Sequence, residues 1–268
     1  MIFPHVPNRK DGEGVMKSGR MQACIDYIRF NQEAEGFLLE ETEEDVLREV
    51  LDEDRTADDA IEALVEELRL PAEYIPSADE GDVYPGTGCL TNFFNIMDRD
   101  RLREVETRFV NVRTAEILLE PIDTQFDFDR LKAIHERLFG DIYPSSGQVR
   151  EVAAAKRTVF CQPDFIDDMA SEIFGKLRND HYLKNLGRDD FINDFAFYMG
   201  EVEALHPFRD GNGRAARLFF YQLALNAGYD IEWYKVAPDR MLEADISAID
   251  GDYQLLIDVL SEVVIPLW

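Results

Sequence analysis

Apolar residues recur at intervals of three and four along most of this chain, the spacing of one face of an α-helix. Over 21–35 the pattern runs through Ile25, Ile28 and Phe30, with Gly36 as the stop. Over 42–51 it runs through Val46, Leu47, Val50 and Leu51. Thr56 opens a third helix as its N-cap, with Asp59 where a capping box has Glu, and Ile61, Leu64, Val65 and Leu68 share its apolar face. Segment 71–88 is broken by Pro, Gly, Asp and Glu and reads as a linker. Helical spacing then resumes over 102–119, 128–139, 164–177, 191–205, 215–227 and 242–263. Only between 148 and 162 does the period change. There Val149 and Val152, then Thr158, Val159 and Phe160, predict two short strands and a hairpin between helices. The fold class is therefore all-α with one β-hairpin. Residues 1–19 carry no period and read as a short disordered lead, followed by a three-helix head (20–70), a linker (71–88) and a larger helical domain (89–268).

Composition changes this picture in one place. The chain has 268 residues, 46% of them apolar, enough for a sizeable core. Its net charge is -27, yet 31–82 alone holds 20 Asp and Glu against three Arg and no Lys, leaving -10 for all the rest. A break of this kind marks a module, and three short helices make a core thin enough to need something to pack on. The overall charge argues against nucleic acid as a direct partner, because phosphate backbones call for Lys and Arg. Cys24, Cys89 and Cys161 are too scattered for a disulfide framework or a zinc site. No apolar run approaches the roughly 20 residues of a membrane helix, and the N-terminus lacks the pattern of a secretory signal. The expectation is a cytoplasmic protein with no membrane partner.

The chemistry concentrates in one stretch, His206-Pro-Phe-Arg-Asp-Gly-Asn-Gly-Arg-Ala-Ala-Arg217. It lies between an apolar helix and a second one that starts as the stretch ends, with Gly228 placed to cap the latter. Backbone N–H groups at a helix start, opened by Gly211 and Gly213, form a nest for anions. Arg214 and Arg217 are three apart, so both guanidinium groups can reach one polyphosphate. Two cations at a helix N-terminus oppose its dipole, which points to a bound anion. His206 is the right type for a general base near neutral pH, and Asp210 is the one carboxylate in the loop for Mg²⁺. No Gly-Lys-Ser/Thr follows, so this is not a Walker A loop. His135, His181 and Cys161 are lesser candidates; His135 lies on a helix face near Leu131 and Leu138 and reads as a packing residue. Tyr253 reads as core rather than as part of a nucleobase pocket.

This stretch resembles the signature of the Fic family at every defining position. The likeness extends from Tyr84-Pro-Gly-Thr-Gly to Trp268, through Leu138-Phe-Gly-Asp-Ile-Tyr143 and Gly147-Gln-Val-Arg150, and is nearest to bacterial Fic toxins found with a small antitoxin. The resemblance implies a helical Fic fold with a β-hairpin flap over the site. It implies transfer of AMP from ATP, with Mg²⁺, to a Tyr, Thr or Ser hydroxyl of a protein target, DNA topoisomerase subunits being among those of related toxins. His206 would deprotonate the hydroxyl and Asp210 would hold the metal. Gly211, Asn212 and Gly213 would cradle the α- and β-phosphates, with Arg214 on the β- and Arg217 on the γ-phosphate. Thr158, Val159, Phe160 and Cys161 would dock the target along the flap. Fic-fold kinases lack the second loop glycine and the last arginine, both present here as Gly213 and Arg217. A non-catalytic binding module is a further alternative, against which the intact His206 and Asp210 weigh.

The acidic head fits the same resemblance. Asn31-Gln-Glu-Ala-Glu35-Gly36 is similar to the inhibitory element of Fic antitoxins, with Asn31 in place of Ser or Thr. Positions 31 and 35 are neighbours on one helix face. A Glu at a helix C-terminus is electrostatically unfavourable, which suggests another use. The expectation is an antitoxin-like module that inhibits the enzyme through Glu35, salt-bridged to Arg217.

Overall fold

A computed structural model of the chain describes residues 18–71, 74–76, 81–120, 124–154 and 160–267. The described residues form ten α-helices and one pair of short strands. The head contains α1 (Ser18–Ala34), α2 (Glu41–Leu51) and α3 (Ala57–Glu67). Gly36, at φ +86°, turns the chain after α1, and the Thr56 side chain caps α3 by accepting the Asp59 N–H. Then follow α4 (Arg99–Leu119), α5 (Phe128–Phe139), α6 (Ile166–Asn179), α7 (Arg188–Leu205) and α8 (Asn212–Ala227). The C-terminal part adds β1 (Tyr229–Ile231), α9 (Pro238–Ile249), α10 (Gln254–Val263) and β2 (Val264–Pro266), with β1 and β2 antiparallel.

Helix α8 is apolar nearly all round, and a helix of that kind belongs inside. Leu218, Phe219, Phe220, Leu223 and Ala224 are all essentially inaccessible. Helices α7 and α5 pack beside it, and α1 closes another side. Tyr27 stacks on Tyr221 with ring centroids 4.9 Å apart, and Phe30 stacks on Trp233 at 6.0 Å. One hydrophobic cluster therefore runs from Met21 in the head to Val264 at the C-terminal end.

The charge imbalance has a matching structural partner. Helix α4 carries five arginines and lies against the acidic head. Arg108 pairs with Glu43 at 3.0 Å and Glu67 at 2.9 Å, and Arg113 with Asp58 at 2.9 Å. Arg101 donates to the Leu68 carbonyl, and Arg103 to the Glu35 carbonyl at 2.5 Å. The last of these places a cation at the carboxyl end of α1, where the dipole favours it.

Three expectations change. The helix expected over 242–263 is two, α9 and α10, because Gly251 takes φ +89° in an Asp-Gly-Asp turn. A 3₁₀ turn, Pro163–Phe165, precedes α6. The hairpin expected over 148–162 is not built as strands in its described flanks, 148–154 and 160–162, while 155–159 lie outside the described residues. The flanks are instead closed by a Phe160 N–H bond to the Ala154 carbonyl and by the Arg150 side chain. Pairing between β1 and β2 escaped the sequence reading because three residues are too few to show alternation. Most of the lead (1–17) and parts of the linker (72, 73 and 77–80) also lie outside the described residues. No described helix is long and apolar enough to cross a membrane.

Because α1 is part of the common core, truncating Phe30 opens a void against Trp233. We expect Phe30→Ala to cost about 3 kcal/mol or more, read from urea denaturation; a cost below about 1 kcal/mol would show that α1 is not docked as described.

Candidate active site

The chemistry-bearing loop leaves α7 at His206, which adopts φ +46°, ψ +58° and so turns the chain sharply at its own position. Arg150 holds that turn. It is 2% exposed, and its guanidinium donates to the carbonyls of His206 at 2.7 Å and Val152 at 2.8 Å, and also to Cys161. Its own N–H donates to the Pro207 carbonyl at 2.9 Å. One side chain thereby ties the loop to both flanks of the flap. Phe160, from the far flank, stacks on the His206 imidazole, with centroids 3.7 Å apart and planes within 7°. This stacking fixes the plane of the ring.

Two further side chains shape the loop. Asn212 spends both ends of its amide on Phe208, accepting its N–H at 2.8 Å and donating to its carbonyl at 2.9 Å. Its side-chain amide is therefore committed within the loop, and these bonds do not use its backbone N–H. His135 is more than a packing residue. Its Nδ1 accepts the Gly147 N–H at 2.9 Å, so its Nε2 carries the proton and donates to the Asp210 carbonyl at 2.9 Å. Burial pushes its pKa down to about 4, keeping it neutral. Gly211, at φ +77°, lies so close to Phe139 that a Cβ there would meet the ring at 2.4 Å.

Arg214 and Arg217 enter in the first turns of α8 at 7% and 6% exposure. Arg214 Nη1 pairs with Glu106 at 2.6 Å, and its guanidinium carbon sits 4.7 Å over the Phe139 ring. Burial works against its charge, but Glu106, Glu35 and Asp210 outweigh burial and hold its pKa above the ordinary value. Arg217 Nε donates to Asn31 Oδ1 at 2.7 Å, and Asn31 in turn donates to the Tyr27 carbonyl. Glu35 Oε1 stands 3.6 Å from Arg214 Nε and 3.8 Å from Arg217 Nη2. Both nitrogens are shielded from solvent and have no hydrogen-bond partner. Glu35 thus faces both arginines, nearer to Arg214 than to the expected Arg217, without bonding closely to either.

These groups open onto a cavity of about 480 Å³ lined by Glu35, His206, Asp210, Gly211, Asn212, Gly213, Arg214 and Arg217, with Phe160 on the flap side. A cavity of this size suits a nucleotide. Asp210 is exposed, and its Oδ1 accepts the Gly211 N–H. No described cluster of three or more His, Cys, Asp and Glu could cage a metal. A single carboxylate fits Mg²⁺, which keeps waters and shares phosphate oxygens.

The opposite wall was not legible in the sequence. It comes from α9, with Met241, Leu242, Ile246 and Ile249 giving an apolar side, and from Glu203 and Asp245. The pKa of Asp245 is raised well above the usual carboxylate range, by burial and then by the Glu203 charge, with Arg217 pulling the other way. A Glu on an apolar helix face at 203 was the available signal. Cys161, Tyr253 and His181 do not line this cavity. Cys161 also commits its backbone, donating to Ala204 at 3.1 Å and accepting from Arg150. Phe160 spends its N–H on Ala154. Main-chain docking of a target at 160 and 161 would thus compete with the bonds that the Phe160 N–H and both backbone groups of Cys161 already make. Thr158 and Val159 lie outside the described residues.

The chain is similar to known proteins of one family. The Fic/DOC family profile matches residues 125–224. The protein adenylyltransferase VbhT of Bartonella schoenbuchensis is 39% identical over 173 residues, 64% of this chain but only 36% of VbhT. The probable protein adenylyltransferase Fic of Escherichia coli K12 is 34% identical over 183 residues, 68% of this chain and 90% of that protein. Among solved structures, BepC of Bartonella tribocorum, with bound AMPPNP, superposes with a TM-score of 0.66 at 27% identity, covering 69% of this chain and 96% of that one.

The packing of Gly211 on Phe139 sets a sharp requirement. Gly211→Ala meets both a left-handed backbone and a ring carbon, and we expect a loss of about 2 kcal/mol or more in urea unfolding; an unchanged midpoint would mean the loop is not held against Phe139.

Proposed function

The chain belongs to the Fic/DOC family, and from that premise we propose that it transfers AMP from ATP to a Tyr, Thr or Ser hydroxyl of a target protein and is held back by Glu35. The observation that carries the reading is the pair of buried guanidinium groups, each with an unbonded N–H on one cavity, next to a stacked imidazole. Unbonded buried donors are costly, and a polyphosphate supplies more acceptor oxygens than Glu35 does. In this reading the N–H groups opening α8 receive the α- and β-phosphates, Arg214 the β- and Arg217 the γ-phosphate. Asp210 holds Mg²⁺, which when bound neutralises phosphate charge. His206 takes the proton of the target hydroxyl. Its oxygen attacks the α-phosphorus in line, the new P–O bond forms, and the bond to the β-phosphate oxygen breaks to release pyrophosphate. Gly213 and Arg217 favour this over transfer of the γ-phosphate.

The inhibition is positional. With Glu35 between the two arginines, the γ-phosphate cannot take its place on Arg217, and small displacements at the reacting phosphorus cost rate steeply. Asn31 serves the same end by holding Arg217 Nε with its amide oxygen. We read the head as antitoxin-like and the protein as a cytoplasmic enzyme of toxin-antitoxin type. Its target is a protein, with DNA topoisomerase subunits as the first class to test.

The reaction class is tested by incubating the chain with bacterial lysate and ATP labelled at the α- or the γ-phosphate; label should pass to protein only from the α-position. His206→Ala should abolish transfer while ATP affinity changes little, since the imidazole meets the hydroxyl and not the phosphates. Retention of more than a few per cent of the rate counts against His206 as the base.

Glu35→Gly should raise transfer by about tenfold or more, a barrier change of roughly 1.4 kcal/mol. Combining it with Arg217→Ala should cancel the gain. An unchanged rate for Glu35→Gly on a responsive target would reduce the head to a structural element.

A further inference from the structure

Arg214 has a second carboxylate partner that lies outside the loop motif. Glu106, on α4, is 7% exposed and places Oε1 2.6 Å from Arg214 Nη1. Its other oxygen accepts the hydroxyl of Tyr143, from the turn after α5. Tyr143 is buried too, and burial followed by the Glu106 charge raises its pKa, so the hydroxyl stays protonated and donates. Both oxygens of Glu106 are thus engaged, one by a brace and one by the arginine. Glu35 stands only 3.6 Å from Arg214 Nε, and that nitrogen makes no hydrogen bond.

We infer that Glu106, braced by Tyr143, is a positioning residue that holds the Arg214 guanidinium over Phe139, so that Nε stays open to a phosphate instead of closing on Glu35. The inference rests on the reading of the cavity as the ATP site. Its physical basis is competition. A guanidinium facing one carboxylate in a shielded site closes to a hydrogen-bonded pair, often bidentate, at roughly 2.8 Å. Arg214 stops short of Glu35 because another carboxylate anchors it from the opposite side. Arg217 also stops short of Glu35, at 3.8 Å, with its Nε held by the neutral Asn31, so each arginine is kept from Glu35 by a different partner.

Charge and position make opposite forecasts, which gives the experiment its power. A nearby carboxylate repels a triphosphate. If Glu106 acted only as a charge, neutralising it would tighten ATP binding. If it acts by position, neutralising it frees Arg214 to close on Glu35 and weakens ATP binding. The test is calorimetric titration of the intact chain with ATP and with AMP, for Glu106→Gln with and without Glu35→Gly. Tyr143→Phe serves as a second variant that removes only the brace.

We expect Glu106→Gln to weaken ATP by about fivefold or more when Glu35 is present and by clearly less in the Glu35→Gly chain, a non-additivity expected of groups that share a partner. AMP, which lacks the phosphate that Arg214 serves, should keep its affinity throughout. Tyr143→Phe should move ATP affinity the same way by a smaller factor. Tighter ATP binding, an equal loss for AMP, or the same factor with and without Glu35 would overturn the inference. If the Glu35→Gly chain binds ATP no better than AMP, the reading of the cavity itself fails, and the inference with it.

Discussion

Arg214 and Arg217 carry two positive charges into the first turns of α8, where the helix already presents the positive end of its dipole, and both are more than nine-tenths buried. A buried charge without compensation is strongly destabilising, on the order of several kcal/mol. The surrounding structure answers that constraint from every side. Glu106 comes from α4, Asn31 from α1 and Glu35 from just beyond it. None of these helices could be placed elsewhere without leaving a cation unanswered, so the two arginines organise the fold as well as the site.

The loop around them is fixed by groups that leave the anion-binding donors alone. Arg150 spends its N–H groups on carbonyls, His135 is neutral and bridges Gly147 to Asp210, and Asn212 folds its amide back on Phe208. The loop is therefore held at several points by hydrogen bonds, yet the N–H groups opening α8 are not consumed in making them. Phe160 adds a flat apolar surface that orients the imidazole of His206. Preorganisation of this kind spares a catalyst the cost of reordering during reaction.

Much of this was legible in the residues. The helix-period pattern located the helices, and the Gly36, Thr56 and Gly228 end signals were used as expected. The stretch from His206 to Arg217 was recognisable because its chemistry is contiguous. What escaped notice comes from distant segments. Glu106 and Tyr143 are ordinary positions on their own, and nothing in a linear pattern says that they meet Arg214. Asp245 and Glu203 belong to helices whose spacing says nothing of a cavity, and their place in its wall follows only from how α9 packs on α7. His135 looked like packing because its two hydrogen bonds go to backbone groups 12 and 75 residues away. The hairpin reading failed in its flanks because Arg150 and turn bonds, which have no period, do the work that a strand ladder was expected to do.

The acidity of the head looked like the mark of a separate module, and the structure gives it a more specific meaning. Arg108 and Arg113 of α4 pair with Glu43, Glu67 and Asp58 of the head, and Arg101 and Arg103 donate to its carbonyls, so one basic helix meets the acidic head with both kinds of bond. Among the head's described carboxylates, Glu35 is the one that lines the cavity. Docking of the head and the approach of Glu35 to the arginines are therefore separable in charge terms, since other acids attach the head. They remain coupled in geometry. Arg103 holds the Glu35 carbonyl, and Phe30 and Tyr27 seat α1 in the core, so the carboxylate's position follows from how firmly α1 is packed. Loosening α1 would withdraw Glu35 from both arginines at once, along with Asn31. For that reason the packing of one apolar helix face bears directly on whether the cavity is open to a polyphosphate.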